Sequence, residues 1–410
     1  FDLIGDRATE AHVLVELDAS IVCGLIEPMD LDRVVSICDE IGADDLADIL
    51  GYLDNDKSSA ILEGMADQES LEIEDLLGYD PESAGGIMSP EFFALQRDTT
   101  IGQAITALQE QSEDLEMAFY IYVINEHGKL VGVLSLRQLV TTRPDRLVSE
   151  VMASDVVTVP VHADQEEVAN VVALYNFLAV PVVDETNRLI GIVTVDDIID
   201  VLYDEATEDI LMLAGVGAGA DAQAGALQHL RMRYPWLIAS CVGGFGAAII
   251  MDPFLETLGL FLGLFVPIVM GMAGNVGIQS STVVVRALAT GQMTSADSSQ
   301  VIRREVLIGV LMGCGYGTVV GLAAAGYSWL NGAGVDFLHI AVYGSSVGLA
   351  LGAAMIIAAT LGTMIPIGLN KLGVDPAVAT GPFVTTALDI LGILSYFGIA
   401  ILLSGFLPGG

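Results

Sequence analysis

The pattern of hydrophobic and polar positions divides the chain near Tyr234. After it come five apolar stretches, each long enough to cross a bilayer as a helix, which takes ~20 residues. They are Trp236–Met251, Leu258–Leu288, Val301–Leu330, Ile340–Leu369 and Val378–Leu407. The first stops at Asp252-Pro253, and prolines 267, 366 and 382 predict interruptions in the second, fourth and fifth. Interrupted membrane helices need protein or water around the freed backbone groups. Residues 234–410 are therefore predicted to form a five-span membrane domain containing a polar pathway.

The N-terminal half has shorter periodicities. Residues 1–86 carry apolar residues at spacings of three and four, as in Ile41–Leu53, and predict a small helical domain. Residues 87–148 and 149–205 are two copies of a unit with the order strand, helix, strand, strand, helix. Leu130–Ser135 in the first copy corresponds to Leu189–Thr194 in the second. Residues 206–233 are assigned to a connecting helix and linker.

Charge is distributed as unevenly as hydrophobicity. Residues 1–230 hold 46 acidic and nine basic residues, a net charge of −37, whereas residues 231–410 hold seven acidic and six basic residues, a net charge of −1. A nucleic-acid partner is excluded, because such a partner requires a basic surface. The five histidines form no H-E-x-x-H motif, which argues against a membrane metalloprotease.

The few basic residues of the C-terminal half predict its orientation. Counted along the five spans, all six fall on one side: Arg231, Arg233, Arg286, Arg303, Arg304 and Lys371. By the positive-inside rule this side is the cytoplasm. The acidic half precedes the first span and is then cytoplasmic, and five spans place the C-terminus outside. The predicted location is the plasma membrane.

One acidic residue, Asp389, lies inside an apolar stretch with no basic residue in the same span to pair with it. Ionisable side chains inside membrane helices are costly and by default functional, so a cation or water is the expected partner. The second stretch supplies the polar run GMAGNVGIQSST at positions 271–282, which suits a conduit lined by carbonyl groups and water. The predicted lining residues are Gly274, Asn275, Gln279, Thr385 and Thr386.

Glycine spacing predicts close packing in the third stretch. Its glycines recur every four residues at Gly309, Gly313, Gly317 and Gly321. Small residues at this spacing allow two helix backbones to approach closely. We interpret these glycines as packing positions rather than as a site.

Acidic residues concentrate where the second repeat joins the membrane domain. They are Asp196, Asp197, Asp200, Asp204, Glu205, Glu208 and Asp209. On a helix, four of them share one stripe: Asp197, Asp200, Asp204 and Glu208. Like charges four residues apart repel, so helix stability does not explain the stripe. Two interpretations remain: divalent-cation binding, because hard cations take carboxylate oxygens, and a solvated acidic face of the kind found in salt-adapted proteins.

The tandem repeat resembles a pair of cystathionine-β-synthase (CBS) domains. Modules of that family bind adenine nucleotides, and Thr194-x-x-Asp197 matches their ribose-contacting pattern. The resemblance implies that Thr194 and Asp197 bind nucleotide and that ATP is a ligand of the module. The first repeat has Ser135-x-x-Gln138 at the equivalent place.

Together these features resemble the MgtE family of magnesium channels over about residues 40–410. The most specific matches are VPIVMGMAGNVGIQS at 266–280, RALAT at 286–290, GVDPA at 373–377, Asp389-x-x-Gly392 and the region from Thr194 to Asp209. The fold implied is an all-α N-terminal domain, an α/β tandem CBS module, a connecting helix and an α-helical five-span membrane domain. The resemblance also implies a homodimer in the lipid bilayer, whose axial pore holds hydrated Mg²⁺ at Asp389 of each subunit.

The resemblance further implies regulatory Mg²⁺ sites. Their expected ligands are Asp197, Asp200, Glu205, Glu208, Asp209 and Glu166. The chain departs from the family at three places: Asn176 stands at a carboxylate position, Gly381 where the family can have asparagine, and Ile278 at a polar position.

The expected function is a Mg²⁺-selective channel rather than an enzyme. Mg²⁺ would pass down its electrochemical gradient into the cytoplasm, and Mg²⁺ bound between the acidic cytosolic domains would close the pore. Two alternatives remain at this point: an ion-coupled secondary transporter of Mg²⁺ or another divalent cation on the same scaffold, and a Mg²⁺ sensor without transport.

Overall fold

A computed structural model gives the structure of the chain. It describes residues 1, 4–17, 19–111, 119–217, 226–258, 260–290, 293, 298–331, 336–379 and 381–405. The chain forms two compact units, Phe1–Asp204 and Glu205–Gly410.

The first unit opens with the helical region that the spacing of apolar residues predicts, and its described residues form six short helices. They are α1 (Arg7–Val15), α2 (Ala19–Ile26), α3 (Leu31–Cys38), α4 (Ala43–Tyr52), α5 (Asn55–Gly64) and α6 (Asp67–Leu77). Leu46, Leu50 and Ile61 are fully buried in their core. Glu10 is buried and pairs with Arg33 at 2.7 Å, which compensates the carboxylate for lost water.

The two repeats follow with the predicted element order. The first contains β1 (Ala94–Gln96), α7 (Ile101–Glu110), β2 (Tyr120–Ile124), β3 (Leu130–Ser135) and α8 (Leu136–Thr141). The second contains β4 (Val159–Pro160), α9 (Gln165–Tyr175), β5 (Ala179–Val183), β6 (Leu189–Thr194) and α10 (Val195–Leu213). In each three-stranded sheet the first strand pairs in parallel with the second, and the second pairs antiparallel with the third.

The opening segment of each repeat, before its first strand, pairs with the sheet of the other repeat. Ser89 forms a bridge to Ile192 of the second sheet, and Ala153 forms a bridge to Val133 of the first. A glycine makes room each time, since a Cβ on Gly132 would lie 2.3 Å from the sulfur of Met152. The equivalent distance from Gly191 to the sulfur of Met88 is 2.7 Å. Met88 and Met152 therefore make equivalent contacts with the strand glycine of the other repeat.

The second unit contains the five predicted spans. Its helices are α11 (Ala226–Leu258), the short α12 (Leu260–Gly263), α13 (Val266–Ala289), α14 (Ser298–Leu330), α15 (Phe337–Lys371) and α16 (Pro382–Ser404). Within the described residues, five helices are long and apolar enough to cross a membrane. Part of the predicted linker, residues 218–225, and the predicted end of the fifth span at 406–407 lie outside the described residues.

Two of the predicted helix interruptions are wrong. The first span does not stop at Asp252, because α11 continues through Pro253 to Leu258. Likewise α15 runs through Pro366 without a break to Lys371. The freed backbone groups of a membrane helix can be satisfied by neighbouring helices and local adjustment, so a proline need not end it. By contrast, Pro267 and Pro382 each lie in the first turn of a helix, where proline is well tolerated.

The close packing predicted from glycine spacing is confirmed. A Cβ on Gly313 would lie 2.8 Å from the backbone oxygen of Gly352, and one on Gly317 would lie 2.5 Å from that of Gly348. The backbones of α14 and α15 therefore touch along this seam. A second crossing joins α13 to α15, where a Cβ on Gly362 would lie 2.3 Å from the oxygen of Gly277.

Candidate functional site

Asp389 lies on α16, the last membrane helix. It is the eighth of 23 residues, so it lies about 10 Å along the helix from its first residue. Its side chain is half-buried, and the preceding Leu388 packs onto Gly277 of α13. The helix thus carries one carboxylate into an apolar layer beside the helix that contains the polar run.

The polar run of α13 is divided between two faces of the helix. Asn275 and Gln279, one turn apart, are exposed, whereas Gly277 and Ser280 are buried against neighbouring helices. Gly274 is half-buried. A carboxamide facing hydrocarbon costs several kcal/mol, roughly 4–8 by water-to-cyclohexane transfer. An exposed pair at this depth therefore requires water or another protein surface opposite it.

The two threonines predicted to line the pathway make contacts within the unit. Thr385 donates its hydroxyl hydrogen bond to the backbone oxygen of Gly381 at 2.8 Å. Thr386 packs against α11, where a Cβ on Gly243 would lie 2.5 Å from its methyl group. Gly381 begins α16 as its N-cap. The structure thus places both threonines in the first turn and a half of α16.

The Thr194-x-x-Asp197 pattern forms the start of α10. The Thr194 hydroxyl donates to the Asp197 carboxylate, and its backbone N–H donates to the same oxygen at 3.2 Å. Ser135 and Gln138 make the equivalent pair of contacts at the start of α8, with distances of 2.8 and 3.0 Å. In the first repeat these two residues form a capping box, and in the second the same pair of contacts holds Asp197 in place.

Asp197 faces two acidic residues of α4 that the sequence analysis missed. Burial raises the pKa of Asp45 to about 7, and repulsion from Asp44 and Asp197 adds to this shift. Burial likewise raises the pKa of Asp197 to about 7; the hydrogen bond from Thr194 opposes the rise and repulsion from Asp44 adds to it. Three carboxylates from the helical domain and the second repeat thus share one electrostatic environment. The acidic first turn of α4 was the available signal.

A second group of carboxylates lies in the unit that contains the membrane helices. Burial raises the pKa of Asp209 to about 6, followed by repulsion from Asp375 and from Glu205. Asp375 belongs to the GVDPA turn before α16 and accepts the backbone N–H of Ala377 at 2.8 Å. The sequence analysis quoted this turn for its resemblance but did not assign Asp375 to a site.

The remaining predicted ligands are more dispersed. Asp200 is exposed on α10. The pKa of Asp204 is raised mainly by partial burial and secondly by repulsion from Asp200, as expected for like charges one turn apart. Glu208 is half-buried further along the same helix. Glu166 lies in the first turn of α9, where its backbone N–H donates a hydrogen bond to the carboxylate of Asp164 at 2.9 Å.

Asn176 ends α9 in the left-handed conformation. Its φ is 54°, a region that asparagine tolerates better than most residues. The left-handed helix end therefore gives a structural reason for an asparagine at this place.

No ready-made metal centre exists in the described part of the chain. Within it, no three His, Cys, Asp or Glu side chains are grouped so that they could hold a metal ion. The carboxylates around Asp45 and Asp209 nevertheless match the chemistry of Mg²⁺, which binds through one or two carboxylates and keeps several waters. Because the carboxylates within each group repel one another, each group would attract a divalent cation, and the bound cation would relieve the repulsion.

Replacing Asp45 by asparagine tests this repulsion. The folded carboxyl holds its proton to a higher pH than in the unfolded chain, so its stabilising contribution is complete below pH ~4 and is lost as pH rises towards about 7. Without divalent cations at pH 8, Asp45→Asn is therefore expected to raise stability by about 1–2 kcal/mol after allowance for partial exposure, or a few degrees of melting temperature. Calorimetry of the purified chain at pH 5 and pH 8 measures this.

The matched control for Asp45→Asn is Glu72→Gln, which removes an exposed carboxylate of the same domain. It should leave both melting temperatures within about one degree of the unsubstituted chain. Equal shifts in the two variants at pH 8 would show that general charge reduction, rather than this cluster, is responsible.

Fold and site together define a class: a multi-pass membrane protein with cytosolic CBS domains and a carboxylate inside its membrane helices. Family models match the chain in three places, as the MgtE intracellular N domain at residues 1–82, the CBS domain at 84–144 and 148–204, and the MgtE divalent cation transporter at 266–399. The chain belongs to the MgtE family.

Curated relatives agree with this assignment. The chain is 37% identical over 367 residues to the magnesium transporter MgtE of Thermus thermophilus, covering 88% of this chain and 79% of that protein. It is 36% identical over 401 residues to the magnesium transporter MgtE of Bacillus subtilis, covering 97% and 84%. A crystal structure of the cytosolic domain of the Mg²⁺ channel MgtE in complex with ATP is 38% identical, with a TM-score of 0.47, and covers 48% of this chain and 80% of that one.

Proposed function

We propose that the chain is a Mg²⁺-selective channel that admits Mg²⁺ to the cytoplasm down its electrochemical gradient. The observation that carries the proposal is Asp389, a carboxylate about 10 Å along an apolar helix, beside the helix that presents Asn275 and Gln279. Its ligand chemistry suits Mg²⁺, which dehydrates reluctantly and is bound through few carboxylates with its waters retained.

The pathway is proposed to lie along the exposed face of α13. Asn275 and Gln279 would hydrogen-bond the waters of a hydrated ion, while Asp389 would supply the charge. Because this face is exposed in a single chain, a second copy is the expected surface opposite it, and the pore would lie on the axis of a homodimer. Gly274 would widen the path, and Thr385 and Thr386 would line its α16 side.

Gating is proposed to follow from the cytosolic carboxylates. Without bound Mg²⁺, the carboxylates within each group, one around Asp45 and one around Asp209, repel one another. This repulsion disfavours a compact arrangement of each group and opens the pore. Mg²⁺ held by Asp197, Asp200, Glu205, Glu208, Asp209 and Glu166 would favour the closed state. The ion shifts the gate only by its difference in affinity between the two states. ATP bound beside Thr194 and Asp197 would change that affinity, since both ligands use the same carboxylate.

The proposed orientation follows the positive residues. The N-terminal domains are cytosolic, and the ends of α13 and α15 and the starts of α11 and α14 carry the six basic residues of this half. The C-terminus is then expected outside the cell. Replacing Ser404, the last residue of α16, by cysteine tests this. An impermeant thiol reagent added outside intact cells should label the introduced cysteine.

Flux into proteoliposomes distinguishes the candidate functions. A channel is expected to give Mg²⁺ uptake that follows the membrane potential, with single-pore currents far above the turnover of a carrier. Uptake that stops without a counter-ion gradient would favour the ion-coupled transporter. No uptake from correctly folded protein, together with Mg²⁺-dependent protection of the cytosolic domains, would favour a sensor.

A further inference from the structure

A second carboxylate, Glu305, is buried in the membrane unit, and the pathway described above does not use it. It lies on α14, its residue is 7% exposed, and it accepts a hydrogen bond from the hydroxyl of Ser280 on α13 at 2.8 Å. Ser280 is only 4% exposed. None of the ion pairs found among the described residues involves Glu305. The sequence analysis did not consider Glu305, which directly follows Arg303 and Arg304 near the start of the third apolar stretch.

The Ser280–Glu305 bond lies where three helices meet. One turn beyond Glu305, a Cβ on Gly309 would lie 2.9 Å from the Cβ of Ala359 on α15. About one turn before Ser280, Gly277 touches α15 at Gly362. The bond therefore ties α13 to a rigid pair of helices at the level of the polar run.

The hydrogen bond from Ser280 to Glu305 fixes the rotation of α13 about its own axis. At about 100° per residue, Ser280 is about 100° from Gln279 and about 140° from Asn275 around the helix. The anchor is thus on the buried side and the two carboxamides are on the exposed side. Loss of the anchor would allow α13 to rotate and would move both carboxamides away from their present direction.

We propose that Glu305 is a positioning residue for Mg²⁺ transport: by accepting the Ser280 hydrogen bond it sets the rotation of α13 and so the placement of Asn275 and Gln279. This inference rests on the proposed function, since it assigns a role in the same pathway. Glu305 acts through Ser280 and α13, and it does not touch the ion.

Two neighbouring serines provide a matched test. Ser280 and Ser281 are both buried on α13, but the hydroxyl of Ser281 has no hydrogen-bond partner within the described residues. Ser280→Ala is expected to raise the Mg²⁺ concentration that gives half-maximal uptake by roughly threefold to tenfold, the size of effect expected for one ordinary intramolecular hydrogen bond. Ser281→Ala should leave it unchanged. Both are measured by flux into proteoliposomes.

Substitutions of Glu305 complete the test. Glu305→Gln keeps an oxygen that accepts the Ser280 hydrogen bond and is expected to transport like the unsubstituted chain. Glu305→Leu removes the acceptor, and its effect should not add to that of Ser280→Ala in the double variant. A melting curve on each variant separates loss of folded protein from loss of positioning.

The outcomes separate this inference from the proposed function. If the unsubstituted chain shows no Mg²⁺ flux, the proposed function fails. If it transports Mg²⁺ but Ser280→Ala and Ser281→Ala have equal half-saturating concentrations, only the positioning role fails. A Glu305→Gln variant with the same defect as Glu305→Leu would also overturn it, because the charge rather than the hydrogen bond would then be required.

Discussion

Replacing Asp389 by asparagine is expected to reduce Mg²⁺ uptake roughly 10–100-fold without unfolding the protein, the scale of losing one charged ligand in a low-dielectric site. Asparagine keeps the volume and the hydrogen-bonding oxygen of aspartate but removes its charge. If the carboxylate attracts the hydrated ion, uptake falls although α16 still packs through Leu388 against Gly277. Uptake of ²⁸Mg or fluorescence of a trapped Mg²⁺ indicator in proteoliposomes measures it.

The control for this experiment is Asp252→Asn. Asp252 is an exposed carboxylate within α11, and no pathway residue is assigned there. The Asp252→Asn variant loses the same amount of charge as Asp389→Asn, but outside the proposed pathway. It should therefore retain most of the uptake. Normal, selective Mg²⁺ uptake by Asp389→Asn would show that Asp389 is a structural aspartate and would remove the main support for the proposed pathway.

The second large effect is expected from Asp209→Asn. Asp209 shares its environment with Asp375 and Glu205, and burial with this repulsion raises its pKa to about 6. Removing its charge weakens the attraction of the group for Mg²⁺ and so weakens the preference of Mg²⁺ for the closed state. The Mg²⁺ concentration that halves the open probability should rise about 5–50-fold, within the usual range of coupling between sites. Patch recordings with increasing cytosolic Mg²⁺ measure this shift.

The maximal current of Asp209→Asn should stay near that of the unsubstituted chain, since Asp209 lies outside the proposed pathway. Glu185→Gln, which removes an exposed carboxylate in the turn between β5 and β6, is the control and should not shift the inhibition curve. An unchanged curve for Asp209→Asn would favour the other interpretation of the acidic residues, that they form a solvated surface.

Salt provides a further distinction between these interpretations. At 1 M ionic strength the Debye length is ~3 Å, so repulsion between separated surface charges is screened. Inhibition through ions held directly between carboxylates should persist under these conditions, at a higher Mg²⁺ concentration. Inhibition that disappears altogether would point to long-range repulsion as its source.

Periodicity predicted the architecture because most segments have one way to bury their apolar residues. The helical nature of the first domain, the element order of the repeats and the five spans all follow from spacing and length. The ends of the spans did not follow, since Pro253 and Pro366 are accommodated inside α11 and α15. Whether a proline ends a helix depends on neighbouring helices, which a single stretch of sequence does not reveal.

The site was predictable only where a residue stands out from its own surroundings. Asp389 is conspicuous in an apolar stretch, and α10 is conspicuously acidic. Asp45, Asp375 and Glu305 were missed because each looks ordinary among its sequence neighbours and gains its meaning from a residue far away in the chain. Their partners are Asp197, Asp209 and Ser280 respectively.

The glycine seam between α14 and α15 restricts how the membrane unit can move. Separating two helices whose backbones touch at Gly313–Gly352 and Gly317–Gly348 would expose peptide groups that no side chain covers, and sliding them would drive backbone into backbone. The pair α14–α15 therefore behaves as a fixed frame. In the proposed channel, α11 and α16 would then carry the opening motion against that frame, because α13 also touches α15 through Gly277 and Gly362. Spectroscopic labels placed across the seam should keep a constant distance while labels on α16 change theirs.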